Sequence, residues 1–218
     1  LEHLAGAGHE PLFSIILTTY NRPELLKDAL ASVGQQSLRD FETILVNDNG
    51  VAIEPLLANY DFPITYVRQG RNQGPAAARN AAIRLARGQY VVYLDDDDRY
   101  LPEHLHVLAE ALDAHPDRVV YTDAVFILEK IEDGNRVELG REQRYPHDEY
   151  SQDRLLVNNY IPVNTFACPR TLALDVGDFD ESLAGLEDWD FLMRLCARSE
   201  FHHIQRETVE AVSYTHLR

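Results

Sequence analysis

The chain has 218 residues, 45% hydrophobic and 26% charged, enough to bury a full core in one folded domain with a small appended lobe. Its formal net charge of −16 argues against nucleic acid or an anionic membrane surface as the main partner. A phosphate ligand stays open, because a metal or a few arginines inverts the charge locally.

The basic residues are nearly all Arg; Lys27 and Lys130 are the only lysines. Cys168 and Cys196 stand in unrelated contexts and read as packed, reduced thiols. No stretch approaches the ~20 apolar residues that a membrane span needs. The opening LEHLAGAGHE lacks a Met and the basic start and apolar centre of a signal peptide. It reads as the edge of a domain taken from a longer polypeptide.

After this polar leader, FSIILTTY (13–20) is a β-branched run suited to a strand covered on both faces. NRPELLKDALASV follows as a helix, with Asn21 as cap, Pro23 in the first turn, Glu24 at capping-box spacing, and Leu26, Ala29, Leu30 and Val33 on one face. FETILVND (41–48) is a second buried strand running into an NDNG turn, and ITYV (64–67) is a third. GPAAARNAAIRLARG (74–88) predicts a helix with Ala78, Ala82, Leu85 and Ala86 in a stripe and Gly88 as its cap. QYVVYLD (89–95) is a fourth strand, and Leu101, Leu105, Leu108 and Leu112 mark the next helix. Strand and helix thus alternate over the first half. That predicts βαβ units in a mostly parallel sheet, with ligands outside the carboxyl ends of the strands at 18–20, 47–49 and 95–98.

The second half is less regular. Residues 119–139 read as two strands around an Asp133-Gly134 turn, 151–159 as a helix, 163–169 as a strand and 185–198 as a helix with Trp189, Leu192, Met193 and Cys196 on its core face.

YLDDDDRY (93–100) runs from an apolar strand into four consecutive carboxylates. In an extended chain residues two apart lie ~6.6 Å apart on one face, so Asp95 pairs with Asp97 and Asp96 with Asp98. Such pairs suit one divalent cation or a metal-bound diphosphate, and oxygen-only ligands suit Mg²⁺ or Mn²⁺. The competing reading is a solvated loop in which Asp98 caps the following helix. Position at the carboxyl edge of the sheet favours the ligand.

In order, SIILTTYNRP, VNDNG, NQGPAAARNAAIRLARGQYVVYLDDDD and GLEDWDFLMRL resemble the inverting family 2 glycosyltransferases of the GT-A fold. The resemblance implies an α/β fold: a Rossmann-related, mostly parallel central sheet with helices on both faces and a smaller mixed second half. It implies a leader at 1–11, a nucleotide-sugar-binding half at 12–115 and an acceptor-binding half at 116–218 of the same domain. The acidic strand end resembles that family's Asp-x-Asp motif. It implies Asp97 as direct ligand of Mn²⁺ or Mg²⁺, with Asp95 beside it and Asp96 against ribose or sugar. Thr18 would contact the nucleotide, Tyr20 would pack on the base, and Asp48 would accept from the base ring N–H. Family members usually carry two adjacent acids at that point; this chain has Asn47 then Asp48. Arg79 would pair with phosphate or with the acidic cluster.

Glu187 and Asp188 match the family's Glu-Asp pair, with Asp188 implied as the general base that deprotonates the acceptor hydroxyl. His216 resembles a late metal or diphosphate ligand, although Thr215 stands where Arg is usual; His202 and His203 are runners-up without motif support. The implied reaction is metal-dependent, inverting transfer of a sugar from a nucleotide-diphosphate donor to a hydroxyl of a glycan or lipid-linked saccharide. The donor base implied is uracil, with thymine or guanine as alternatives. The implied setting is bacterial surface-polysaccharide assembly on the cytoplasmic side, with peripheral membrane association through segments not in this chain. The alternative is a non-catalytic nucleotide-sugar-binding or scaffold domain of a larger assembly protein. A phosphatase or receiver domain fits less well, because Asp98 and Arg99 follow Asp97 and neither lysine sits near a strand end. A nucleotidyltransferase wants a Gly-rich basic loop after the first strand, where this chain has TTYNRP.

Overall fold

The first two strands are buried at every position, as continuous apolar runs covered on both faces must be. In the computed structural model, which describes residues 9–132, 135–143 and 150–214, the elements are laid out in chain order. They are β1 (Phe13–Thr19), α1 (Pro23–Gly34), β2 (Phe41–Asn47), α2 (Glu54–Leu57), β3 (Ile64–Arg68), α3 (Pro75–Ile83), β4 (Tyr90–Asp95), β5 (Arg99–Tyr100) and α4 (His104–Ala114). The second half adds β6 (Val119–Glu132), β7 (Asn135–Glu142), α5 (Gln152–Leu155), a 3₁₀ turn (Val163–Thr165), β8 (Phe166–Pro169), α6 (Arg170–Asp175), α7 (Glu187–Cys196) and β9 (Phe201–Tyr214).

One sheet runs through the described residues in the order β3-β2-β1-β4-β8-β6-β9-β5, with β7 paired to β6. The β3-β2-β1-β4 block is parallel, β8 is antiparallel to both β4 and β6, and β6 and β9 run parallel with bulges at Thr122–Ala124. Helices cover both faces. On one, Leu26 and Leu30 of α1 and Leu105 and Leu108 of α4 pack on Ile15, Leu17, Val92 and Leu94. On the other, Ala78 and Ala82 of α3 and Phe191 and Leu195 of α7 pack on Ile16, Ile44, Tyr93 and Phe166. No helix among the described residues is long and apolar enough to cross a membrane.

Strand register aligns the polar strand ends. Thr18 sits opposite Asp95, and Thr19 opposite Asn47. Three strand ends therefore finish in one row at the carboxyl edge of the parallel block.

Several local expectations change. Asn21 does not cap α1: it takes a left-handed φ of 57° and its Oδ1 accepts from the Val51 N–H. The chain must turn sharply out of β1 there, and Asn tolerates that backbone better than most residues. The third helix stops at Ile83, leaving Leu85 exposed, and Gly88 lies against β1 instead of capping it. The expected helix at 151–159 is only Gln152–Leu155, because Asn159 turns away to bond α7. In α7, Phe191 and Leu195 join Leu192 and Cys196 in the core, while Trp189 and Met193 lie at the flank. A 3₁₀ turn opens the stretch expected as a strand at 163–169. The Asp133-Gly134 turn lies outside the described residues, although β6 and β7 pair antiparallel on either side of it.

Gly88 shows how tightly β4 enters the sheet. A Cβ there would stand 2.5 Å from the Ser14 nitrogen and 2.7 Å from the Phe13 carbonyl carbon. Gly88→Ala is expected to cost about 1–3 kcal/mol by overpacking. Urea denaturation measures it, and a loss under about 0.5 kcal/mol would show that the loop simply yields.

Candidate functional site

The aligned ends of β1, β2 and β4 border an open cleft of about 490 Å³. Its walls gather Thr18, Tyr20, Asp48, Arg79, the carboxylates Asp95 to Asp97, and Glu187. Residues far apart in sequence meet there because parallel strands all present their carboxyl ends to one side.

Asp48 closes the end of β2 and spends both oxygens on backbone. Oδ1 accepts from Gln73 N–H at 2.8 Å and Oδ2 from Gly74 N–H at 2.7 Å. It thereby fixes the loop that opens α3. Gly74 is needed at that point, since its φ of 89° is left-handed, and Pro75 follows where a missing N–H costs nothing. The neighbouring Asn47 makes the turn contact instead: its Oδ1 accepts from Gly50 N–H at 2.6 Å. The first turn of α3 faces the cleft through Gly74, Pro75 and Ala78, so the positive end of its dipole looks into it.

The acidic run is a turn and not an extended segment, since Asp98 N–H donates to the Asp95 carbonyl at 3.2 Å. Alternation therefore fails as a guide. Asp95, Asp96 and Asp97 all line the cleft, and Asp98 turns inward. Asp98 does not cap a helix, because β5 intervenes; its carboxylate accepts from Val212 N–H at 2.7 Å and from Asn164 Nδ2. Asp96 accepts from Thr19 Oγ1 at 2.7 Å. Arg22 Nη1 reaches both Asp96 Oδ1 at 3.3 Å and Asp97 Oδ2 at 2.9 Å. Arg136, from β7, donates to the Asp97 carbonyl at 3.1 Å.

These contacts leave the turn short of positive charge. Burial, reinforced by the charges of Asp97 and Asp95 and only partly offset by Thr19 and Arg22, pushes the Asp96 carboxyl up to about 6. Burial and then Asp95 hold Asp97 above its ordinary value, and burial with both neighbours raises Asp98 further.

Arg79, which lines the same cleft, is 5% exposed and joins two elements. Nη2 donates to Asp95 Oδ1 at 2.8 Å and Nη1 to Glu187 Oε1 at 2.7 Å, with the guanidinium 5.5 Å from the Phe179 ring centroid. Burial alone would lower its pKa, but Asp95 and Glu187 outweigh that and raise it. Arg79→Met strips two partly buried carboxylates of their partner and is expected to cost about 3–5 kcal/mol. A urea midpoint shift equivalent to less than about 1 kcal/mol would place the pair among weak surface bridges instead.

Asp188 is next to Glu187 but does not line the cleft. Its Oδ2 accepts from Asn159 Nδ2 at 3.2 Å and its Oδ1 from Trp189 N–H at 2.8 Å. Trp189 in turn donates to the Leu155 carbonyl at 2.7 Å, tying α5 to the start of α7. Tyr20 stands 46% exposed at the lip. His216 lies outside the described residues. His203 is buried against Asp123 at 2.8 Å and stacked on Tyr121, and His202 packs on His115; neither lines the cleft.

The sequence reading missed Arg22, Arg136 and Asn164. Arg22 had a signal, as the one basic residue of the loop after β1. Arg136 and Asn164 reach the turn only through the tertiary fold.

Among the described residues no three of His, Cys, Asp and Glu converge to hold a metal unaided. The oxygen-only, charge-deficient turn nevertheless suits a hard cation of the Mg²⁺ type, which takes one or two carboxylates and leaves its other positions to water and phosphate oxygens.

The family model described as Glycosyl transferase family 2 matches residues 14–174. A Bacillus subtilis (strain 168) protein named as a glycosyltransferase, YwdF, is 32% identical over 182 residues, covering 83% of this chain and 66% of that relative. A Campylobacter jejuni GalNAc(5)-diNAcBac-PP-undecaprenol beta-1,3-glucosyltransferase is 32% identical over 105 residues, covering 46% of this chain and 34% of the relative. The crystal structure of S. aureus TarS 1-349 in complex with UDP superposes with a TM-score of 0.75 at 23% identity, over 92% of this chain and 60% of that one. The same protein in complex with UDP-GlcNAc gives 0.76 at 21% identity, over 94% and 59%. The likeness to TarS is one of fold, the GT-A fold. The chain spans about two thirds of the first relative's length and three fifths of the crystallised TarS chain.

Proposed function

The chain belongs to glycosyl transferase family 2, and from that premise we propose that it is a metal-dependent, inverting transferase. The donor would be a nucleotide-diphosphate sugar, with uracil as its base, and the acceptor a hydroxyl of a glycan or lipid-linked saccharide. The observation that carries the reading is the acidic turn Asp95–Asp97 standing in one cleft with Thr18, Asp48, Arg79 and the N-terminus of α3. A uracil base is the choice in line with TarS, whose crystal structures hold UDP and UDP-GlcNAc.

In this reading Tyr20 stacks on the base and Thr18 touches the nucleoside. Asp48 holds the loop at Gln73–Gly74 with one lone pair per oxygen and keeps others for the base ring N–H. Asp97 and Asp95 are the residues that would hold a Mn²⁺ or Mg²⁺ ion. Such an ion would offset the charge of the departing diphosphate, so no protein acid is required to protonate it. Asp96, fixed by Thr19, faces ribose or sugar. The acceptor hydroxyl attacks the anomeric carbon from the side opposite the diphosphate, and Asp188 takes its proton. Glu187 is committed to Arg79, which leaves Asp188 as the acid of the pair available for that task. The acceptor approaches past Asn159 and Trp189, which orient the first turn of α7. Surface-glycan assembly at the cytoplasmic face of a membrane is the setting we favour, with a polyprenyl-linked acceptor as in the name of the Campylobacter relative.

The test is calorimetric titration of UDP, GDP and dTDP with and without Mn²⁺. Metal-dependent binding of one of the three supports the donor site and names the base; no binding by any of them under either condition overturns it. The second reading, a non-catalytic nucleotide-sugar-binding domain, draws on Asp188 lying outside the cleft lining. Release of nucleoside diphosphate from donor on multiple turnover would exclude it.

A further inference from the structure

Arg22 occupies an unusual place. It follows the left-handed Asn21 at the exit of β1 and hangs over the cleft with its side chain 44% exposed. One nitrogen, Nη1, spans two carboxylates: Asp97 Oδ2 at 2.9 Å and Asp96 Oδ1 at 3.3 Å. The two acids differ in what else holds them. Asp96 keeps Thr19 Oγ1 and the Tyr20 N–H at 3.4 Å, and is 5% exposed. Asp97 is anchored by its backbone, through Arg136, and its carboxylate is open to the cleft. Arg22 therefore satisfies the one carboxylate of the turn that faces the cleft without a side-chain hydroxyl or a buried arginine. A divalent ion on Asp97 would share that carboxylate with Arg22 and would place its charge against the guanidinium.

We propose that Arg22 is the resident counter-cation of the acidic turn. A divalent metal displaces it from Asp97, and the released guanidinium then binds the diphosphate of the donor. The inference rests on the donor-site reading and adds a residue to it. Arg22 is suited to both roles. A half-exposed side chain reorients without disturbing the core, and a planar guanidinium fits a phosphate as well as a carboxylate. Arg79 cannot do the same, being buried between Asp95 and Glu187. Metal and arginine thus compete before the nucleotide arrives and cooperate after it.

The experiment is titration of Mn²⁺ alone, then of UDP at saturating Mn²⁺, into the wild type, Arg22→Gln and Arg71→Gln. Arg71 is an exposed arginine beside Asn72, a cleft residue, and makes no bond to the acidic turn. Its replacement removes the same charge from the neighbourhood. Arg22→Gln is expected to bind Mn²⁺ alone about fivefold tighter than wild type, the size of a half-exposed ion pair released, while Arg71→Gln changes little. At saturating Mn²⁺, Arg22→Gln is expected to bind UDP about tenfold more weakly, having lost a charge-assisted contact. Equal or weaker Mn²⁺ binding by Arg22→Gln would overturn the competition, as would an equal gain in Arg71→Gln. Unchanged UDP binding would overturn the diphosphate role. Failure of the wild type to bind UDP at any Mn²⁺ concentration would instead sink the donor-site reading itself. Thermal melting confirms that each variant is folded.

Discussion

Asp97→Ala is expected to lose the proposed metal-dependent nucleotide binding by more than about 100-fold and to keep its fold. In the proposed site the variant removes a metal ligand itself, so the expected loss exceeds what outer contacts to such a ligand are worth. The fold survives because the turn is held elsewhere: Arg136 binds the Asp97 carbonyl, and Asp98 is tied to Val212 and Asn164. Stability at neutral pH is expected to rise slightly. Burial, then Asp95, raises the Asp97 carboxyl above its ordinary 3.8, so the folded protein keeps that proton longer than the unfolded chain does. A group raised in this way costs stability as the pH climbs from 3.8 through its folded value, and Ala removes that cost. Calorimetry with UDP and Mn²⁺, paired with a melting curve at pH 7, reads both effects. Retained metal-dependent binding would remove Asp97 from the metal site.

Asp188→Asn does the reverse. Nucleotide affinity is expected to stay within about twofold, because Asp188 does not line the cleft. Transfer, measured as nucleoside diphosphate released in the presence of acceptor, falls by about 10²–10⁴-fold, the usual worth of a positioned general base. Asparagine keeps an oxygen to accept the Trp189 N–H, so the first turn of α7 should hold its place. Unimpaired transfer would remove Asp188 from the mechanism and return attention to Glu187. A parallel loss of nucleotide affinity would mark the variant as a folding defect.

The architecture was legible where local pattern and burial agree. FSIILTT, FETILVN and YVVYLD are apolar runs that only a doubly covered strand explains, and they set the row of strand ends. The family resemblance named Asp48, Arg79, Asp95 to Asp97 and Glu187, and these meet in one cleft. The failures share a cause, since each depended on long-range geometry. Asn21 carries a cap's chemistry, but the bend over the cleft required a left-handed residue there. Asp95 to Asp98 were expected to alternate as in a strand, whereas a backbone hydrogen bond folds them into a turn. The buried state of Arg79 could not be read from an alanine-rich helix, because its partners come from β4 and α7. Arg136 lies 39 residues beyond the carbonyl it binds. The strand β9 was missed altogether, since FHHIQRETVEAVSY is largely polar and carries no continuous apolar run.

The place of β8 has a consequence for how such chains can be recombined. This four-residue strand comes from the second half of the sequence, yet it is wedged between β4, which ends in the acidic turn, and β6. Asn164, just ahead of it, holds Asp98. A chimera joined between α4 and β6 would therefore inherit one parent's acidic turn and the other parent's support for it. Grafts between relatives should also leave the segment between α6 and α7 in place, since its Phe179 is buried in the core and bonds Asn80 of α3 through its backbone. Residues 163–169 and Arg136 should stay with the parent that supplies β4.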